Sequence, residues 1–111
     1  MTLRVEGEPR PLPVGVDLAA YRIVQEGLTN ALKYSGLAHT EVMLDYREAE
    51  IKVEILDDGC AEQQRGVGEQ GRGLLGMRER VALYGGRLEA GPRLERGYAV
   101  RAWIPLEATE P

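Results

Sequence analysis

The chain has no Phe, one Trp, one His and one Cys among its 111 residues, and each scarcity removes a class of explanation. A lone Cys60 cannot close an intramolecular disulfide, and one Cys with one His makes no zinc site, so a reducing cytoplasm is the expected home. Long apolar runs are missing as well. Nothing approaches the roughly 20 residues that span a bilayer, and the N-terminus has no signal-peptide core, so a soluble chain without direct membrane contact is expected. Positive charge is in deficit: 14 Lys and Arg stand against 18 Asp and Glu, for a net charge of −4. That balance argues against nucleic acid as a partner, and any anionic ligand must be met by local groups.

What is present fits a small folded unit. A hydrophobic fraction of 43% with 29% charged residues is globular rather than disordered. The length suits one domain over 1–111, its tail 107–111 frayed, and without Phe the core must come mostly from Leu, Val, Ile and Ala.

Periodicity places the elements. Thr2–Glu6 alternates and predicts a short edge strand, after which Pro9, Pro11 and Pro13 forbid regular structure. A long helix is expected from near Val16 or Asp17 to Ser35-Gly36. Two strands follow, Thr40–Arg47 and Ile51–Leu56, joined by a hairpin at Glu48-Ala-Glu50. The Gly-rich stretch 57–76 reads as a long loop of the lid or binding kind. Leu74–Leu83 has helical spacing ended by Gly85-Gly86, and two more strands are expected at Arg87–Ala90 and Tyr98–Ile104. This order predicts an α+β two-layer sandwich, a mainly antiparallel sheet with helices on one face.

On the long helix, Ile23, Val24, Gly27, Leu28, Ala31 and Leu32 are expected to form the apolar arc. Glu26, Asn30 and Lys33, within roughly 60° of one another, are expected to form a polar ridge opposite it. Glu and Lys are ordinary on a wet helix face. Asn30 is not, because its side chain competes with the helical hydrogen bonds. An amide oxygen beside a carboxylate suits Mg²⁺, which keeps several waters and takes few protein ligands.

Asp57-Asp58-Gly59 at a strand end is either a plain turn or a carboxylate projecting from the sheet. Gly71-Arg-Gly-Leu-Leu-Gly-Met77 runs into a helix, where backbone N–H groups and the helix dipole can cradle phosphate. Gly71, Gly73 and Gly76 match the dinucleotide-binding fingerprint, but no buried strand precedes them, and no P-loop is present. His39 reads as a surface loop residue and Cys60 as a small structural one. Arg72, Arg78 and Arg80 are further candidates for phosphate contact.

Four blocks in order resemble a known family: Tyr21-Arg-Ile-Val-Gln-Glu-Gly-Leu-Thr-Asn-Ala-Leu-Lys33, Asp57-Asp-Gly59, Gly71-Arg-Gly-Leu-Leu-Gly-Met-Arg-Glu-Arg-Val81 and Gly97-Tyr-Ala-Val-Arg101. They look like the motifs of the catalytic ATP-binding domain of bacterial sensor histidine kinases, in the branch of the nitrate and nitrite sensors. The resemblance implies the Bergerat fold. It also implies ATP and Mg²⁺ as cofactors and donation of the γ-phosphoryl group to a histidine on a separate dimerisation domain, with a response regulator further on.

Carried across, Asn30 would bind Mg²⁺, Glu26 would act in the transfer step and Lys33 would approach the phosphates. Asp57 would accept a hydrogen bond from the adenine amino group, and Gly59 would admit the base. Cys60 to Gly71 would be the lid, and Gly71, Arg72, Gly73, Leu74, Gly76 and Met77 would line the nucleotide. The chain departs from the family at Ala61, commonly Gly, and at Tyr34, commonly His, and no dimerisation helix precedes Thr2. Two other functions share such features: a serine kinase of the anti-sigma type and a non-catalytic nucleotide-dependent interaction module.

Overall fold

The computed structural model describes residues 1–34, 40–58, 69–93 and 97–106. Its elements run β1 (Thr2–Gly7), α1 (Val14–Tyr34), β2 (Thr40–Tyr46), β3 (Glu50–Asp57), α2 (Glu69–Ala82), β4 (Arg87–Pro92) and β5 (Tyr98–Pro105). The five strands form one sheet in the order β1-β2-β3-β5-β4. β1 is an edge strand, as expected, and pairs in parallel with β2; the other pairings are antiparallel. The architecture is the α+β sandwich that the element order predicts.

Alternation decides which face of the sheet is dry. Val42, Ile51, Val53, Ile55, Val100, Ala102 and Ile104 point to the helices and are at most 4% exposed. Val16, Ala19, Ala20 and Ile23 of α1 and Met77 and Val81 of α2 close the core above them. α1 lies directly on β3 because residue 27 is glycine: a Cβ there would stand 3.0–3.2 Å from three carbons of Ile55. α2 ends in a glycine cap. Gly85 adopts φ +80°, its N–H reaches the Ala82 carbonyl at 3.0 Å, and Gly86 N–H reaches Val81 at 3.1 Å.

The other face carries polar residues and, among the described residues, no helix. Glu54 is 8% exposed and pairs with the guanidinium of Arg101, with Lys52 Nζ 4.0 Å away. Trp103 lies between two cations, its ring centroid 4.2 Å from Arg87 and 5.4 Å from Lys52.

Three expectations are corrected. α1 begins at Val14 rather than near Val16, because the Pro13 carbonyl already accepts the Asp17 N–H at 2.8 Å and Val16 is anchored in the core. The stretch 57–76 is not loop throughout: α2 starts at Glu69, so Gly71 and Gly73 lie within it. Glycine costs a helix only about 1 kcal/mol per residue, which burial of Met77 and Val81 outweighs. The arc on α1 is also displaced. Leu32 is 62% exposed, while Asn30, assigned to the polar ridge, is buried. Asn30 follows Ile23 by seven residues and so stands only about 20° from it around the helix. The buried stripe is Val16, Ala19, Ala20, Ile23, Gly27, Asn30 and Ala31. The expected helix end at Ser35-Gly36, the His39 loop, Gly59, Cys60, Ala61, most of the lid, and the tail 107–111 lie outside the described residues.

Candidate functional site

One end of the sandwich collects the functional candidates, and the directions of the chain put them there. Ala20 and Val24 of α1 line a groove with Ile51, near the start of β3, while Gly27 sits on Ile55, near its end. Helix and strand therefore advance together. Asn30 lies one turn past Gly27, about 4.5 Å along the helix, and Asp57 lies two residues past Ile55, about 6.6 Å along the strand. The two come to the same level above the C-terminal end of β3.

Asn30 occupies a core position with a polar side chain. It is 6% exposed, and its Nδ2 has no hydrogen-bond partner among the described residues. A buried amide donor without a partner costs about 1–3 kcal/mol, and native folds rarely carry one without a reason. Glu26, one turn earlier, is half-buried. Lys33 falls in the last turn of α1; its side chain is outside the described residues.

Asp57 is the last residue of β3 and 5% exposed. In the sheet register it stands between Thr40 of β2 and Tyr98 of β5, on the face that the helices cover. Its main chain is gripped from the turn between β4 and β5. Arg93 Nη1 donates to the Asp57 carbonyl at 2.9 Å, and Arg93 N–H donates to the Gly97 carbonyl at 3.0 Å. Gly97 has φ +92°, and a Cβ there would collide with the Asp57 carbonyl oxygen. Asp58, by contrast, is exposed.

α2 brings its N-terminus to the same end. Tyr84, just past its C-terminus, packs against Gly15 at the start of α1, so the helices run in opposite directions. The first four N–H groups of α2, from Glu69 to Arg72, have no intrahelical acceptor and carry the positive end of the helix dipole. Gly71 lies in that first turn and Gly73 just after it. Gly76 is exposed, and a Cβ there would meet nothing within 4 Å. No packing among the described residues calls for glycine at 76. Leu74 and Met77 turn the other way, Met77 being a 4% exposed core residue and Leu74 packing against the core. Arg78 and Arg80 are exposed on the helix surface.

Three parts of this arrangement escaped sequence reasoning. The stripe spacing from Ile23 would have shown that Asn30 is buried. Gly27 stood in a recognised block without its packing role. Arg93 gave no signal, being one charge in a charged turn.

The donor set can be tested for a metal. Among the described residues no three His, Cys, Asp or Glu side chains cluster to hold one. Among the described residues this end offers the buried carboxamide of Asn30, the Glu26 carboxylate one turn away and Asp57 at the end of β3. That is too little for a protein-only cage, but it fits Mg²⁺, which takes most of its ligands from water and phosphate oxygens.

Known proteins place this architecture. The family described as histidine kinase-, DNA gyrase B-, and HSP90-like ATPase matches residues 15–108. The chain belongs to that family. Within it, the chain is 37% identical over 93 residues to the oxygen sensor histidine kinase NreB of Staphylococcus carnosus, covering 82% of this chain and 26% of NreB. It is 31% identical over 104 residues to the histidine-protein kinase/phosphatase DegS of Brevibacillus brevis, covering 94% of this chain and 27% of DegS. It thus spans about a quarter of the length of the curated relatives it matches. The histidine kinase domain of the Erythrobacter litoralis EL346 blue-light activated kinase superposes with a TM-score of 0.64 at 26% identity, over 95% of this chain and 54% of that one. The catalytic domain of histidine kinase ThkA has the same fold, with a TM-score of 0.68 at 16% identity over 95% of this chain and 76% of that one. The chain is a histidine-kinase-type ATPase domain. No described helix is long and apolar enough to cross a membrane.

Proposed function

We propose that the chain, as one domain over residues 1–111, binds ATP with Mg²⁺ at the end of the sandwich where Asn30, Asp57 and the N-terminus of α2 meet. From there it donates the γ-phosphoryl group to a histidine on the dimerisation domain of its parent kinase, in the cytoplasm, with a response regulator as the later recipient. The observation that carries this reading is Asn30. An amide N–H donor held in a core stripe without a partner is explained if a phosphate oxygen of the nucleotide accepts from it, with the amide oxygen left for the metal.

Asp57 accepts a hydrogen bond from the adenine amino group, and Gly59 leaves room for the base. The phosphates lie toward the N-terminal N–H groups of α2, with the main chain from Gly71 through Arg72, Gly73 and Leu74 to Gly76 and Met77 along them and Lys33 approaching from α1. Asn30 presents its amide oxygen to Mg²⁺, which would neutralise charge on the phosphate oxygens. Glu26, half-buried one turn from Asn30, accepts a hydrogen bond from one ring N–H of the attacking histidine and so makes the other ring nitrogen the better nucleophile. Phosphoryl transfer requires chiefly such positioning and charge neutralisation.

The named relatives are sensor histidine kinases, which favours this reading over an anti-sigma-type serine kinase or a non-catalytic module. Mixing the purified chain and γ-labelled ATP·Mg²⁺ with a separately purified dimerisation domain tests it. Label should appear on that domain's histidine and disappear with Glu26→Gln. Label that never transfers, despite ATP binding, would leave the interaction-module reading in its place.

A further inference from the structure

We infer that Arg93 is a positioning residue for recognition of the nucleotide base, acting through the main chain of Asp57; this rests on the reading of Asp57 as the group that meets the adenine amino group.

Asp57 is the last residue of β3, paired on both sides in the ladder, and the chain leaves the sheet after it. The β4–β5 turn adds a hold on its main chain. Arg93 Nη1 donates a charge-assisted hydrogen bond to the Asp57 carbonyl oxygen at 2.9 Å, a contact across 36 residues of sequence. The turn is itself closed by the Arg93 N–H bond to Gly97 at 3.0 Å. Gly97, at φ +92°, lies so close that a Cβ would collide with the Asp57 carbonyl oxygen and approach the Asp58 Cα at 3.0 Å. The peptide that joins Asp57 to Asp58 is thus held between a guanidinium and a bare glycine backbone.

A carboxylate 5% exposed at a strand end has little freedom to reorient. Its usefulness to a base depends on the direction in which the peptide holds it, and a shift of about 1 Å in such a group costs much of its effect. Arg93 is exposed and reaches the carbonyl, not the carboxylate, so removing it leaves the acceptor chemistry intact and loosens its aim. The expected signature is loss of discrimination between bases with no change in grip on the phosphates.

Calorimetric titration of the full chain with ATP, with inosine triphosphate and with inorganic tripolyphosphate reads this signature. Inosine carries an oxygen where adenine carries its amino group. The unaltered chain should prefer ATP, and Asp57→Asn, whose amide can donate to that oxygen, should erase or invert the preference. Arg93→Ala should lower the ratio of ATP to inosine triphosphate affinity about fivefold, from the loss of one charge-assisted bond felt indirectly, with tripolyphosphate affinity unchanged. If Arg93→Ala has no thermal unfolding transition, Arg93→Gln, which shortens the reach and drops the charge, carries the same readout.

A ratio unchanged in the Arg93 variant while Asp57→Asn inverts it would overturn the role of Arg93 alone. Equal weakening of all three ligands would do the same, since it would make the contact a brace of the fold. An unchanged ratio in Asp57→Asn would overturn the base reading at Asp57 and this inference with it.

Discussion

Two buried polar side chains, one on each side of the sheet, are treated in opposite ways. On the uncovered face Glu54, 8% exposed, has Arg101 and Lys52 around it, and Trp103 is covered by Arg87 and Lys52. On the helix-covered face Asn30, 6% exposed, keeps an amide donor with no partner among the described residues. A buried charge matched within the fold serves the fold. A buried amide left unmatched costs stability and keeps its hydrogen-bonding capacity for a ligand. Substitutions on the two faces should therefore separate stability from binding.

The largest effect is expected at Asn30. Asn30→Ala should weaken ATP·Mg²⁺ binding by about a hundredfold while leaving the ligand-free thermal midpoint unchanged or raised by the equivalent of about 1 kcal/mol, since alanine is the better helix former and has no amide to satisfy. The mirror experiment is Glu54→Ala. It should lower stability by about 1.5 kcal/mol in urea titration, because Arg101 loses its partner but remains partly solvated, and it should not alter nucleotide affinity. An affinity change at Glu54 as large as that at Asn30 would dissolve the contrast between the faces.

Gly27→Ala sharpens the comparison from the packing side. A methyl 3.0–3.2 Å from Ile55 pushes α1 off β3 and carries Asn30 away from the level of Asp57. Both stability, by about 1 kcal/mol, and ATP affinity should fall. The smallest effect is expected at Trp103→Leu, where loss of two cation–π contacts on a partly exposed ring should lower the unfolding free energy by about 0.5–1 kcal/mol and leave the titration with ATP as it was.

Much of the fold was legible because alternation and helical spacing are local. Val42 and Leu44, Ile51 to Ile55, and Val100 to Ile104 announce strands with one dry face, and Gly85-Gly86 announces a helix end. The start of α2 was hidden because glycines at 71, 73 and 76 suppress the local signal, and packing of Met77 and Val81 decides the outcome instead. At the site, the residue types were readable but their surroundings were not. Asn30 was recognised as out of place in a helix, yet its position in the buried stripe emerged only with the sheet beneath it. Arg93 lies 36 residues from Asp57 and meets it only because β3 and β5 are neighbours.

The central claim is that the unpartnered amide N–H of Asn30 donates to the nucleotide's phosphates while its amide oxygen faces Mg²⁺. Calorimetric titration of ATP into the unaltered chain and into Asn30→Ala, each with and without Mg²⁺, tests it most directly. The account predicts that Mg²⁺ strengthens binding to the unaltered chain by at least about tenfold and makes no difference to the variant. Equal enhancement by Mg²⁺ in both proteins would contradict it.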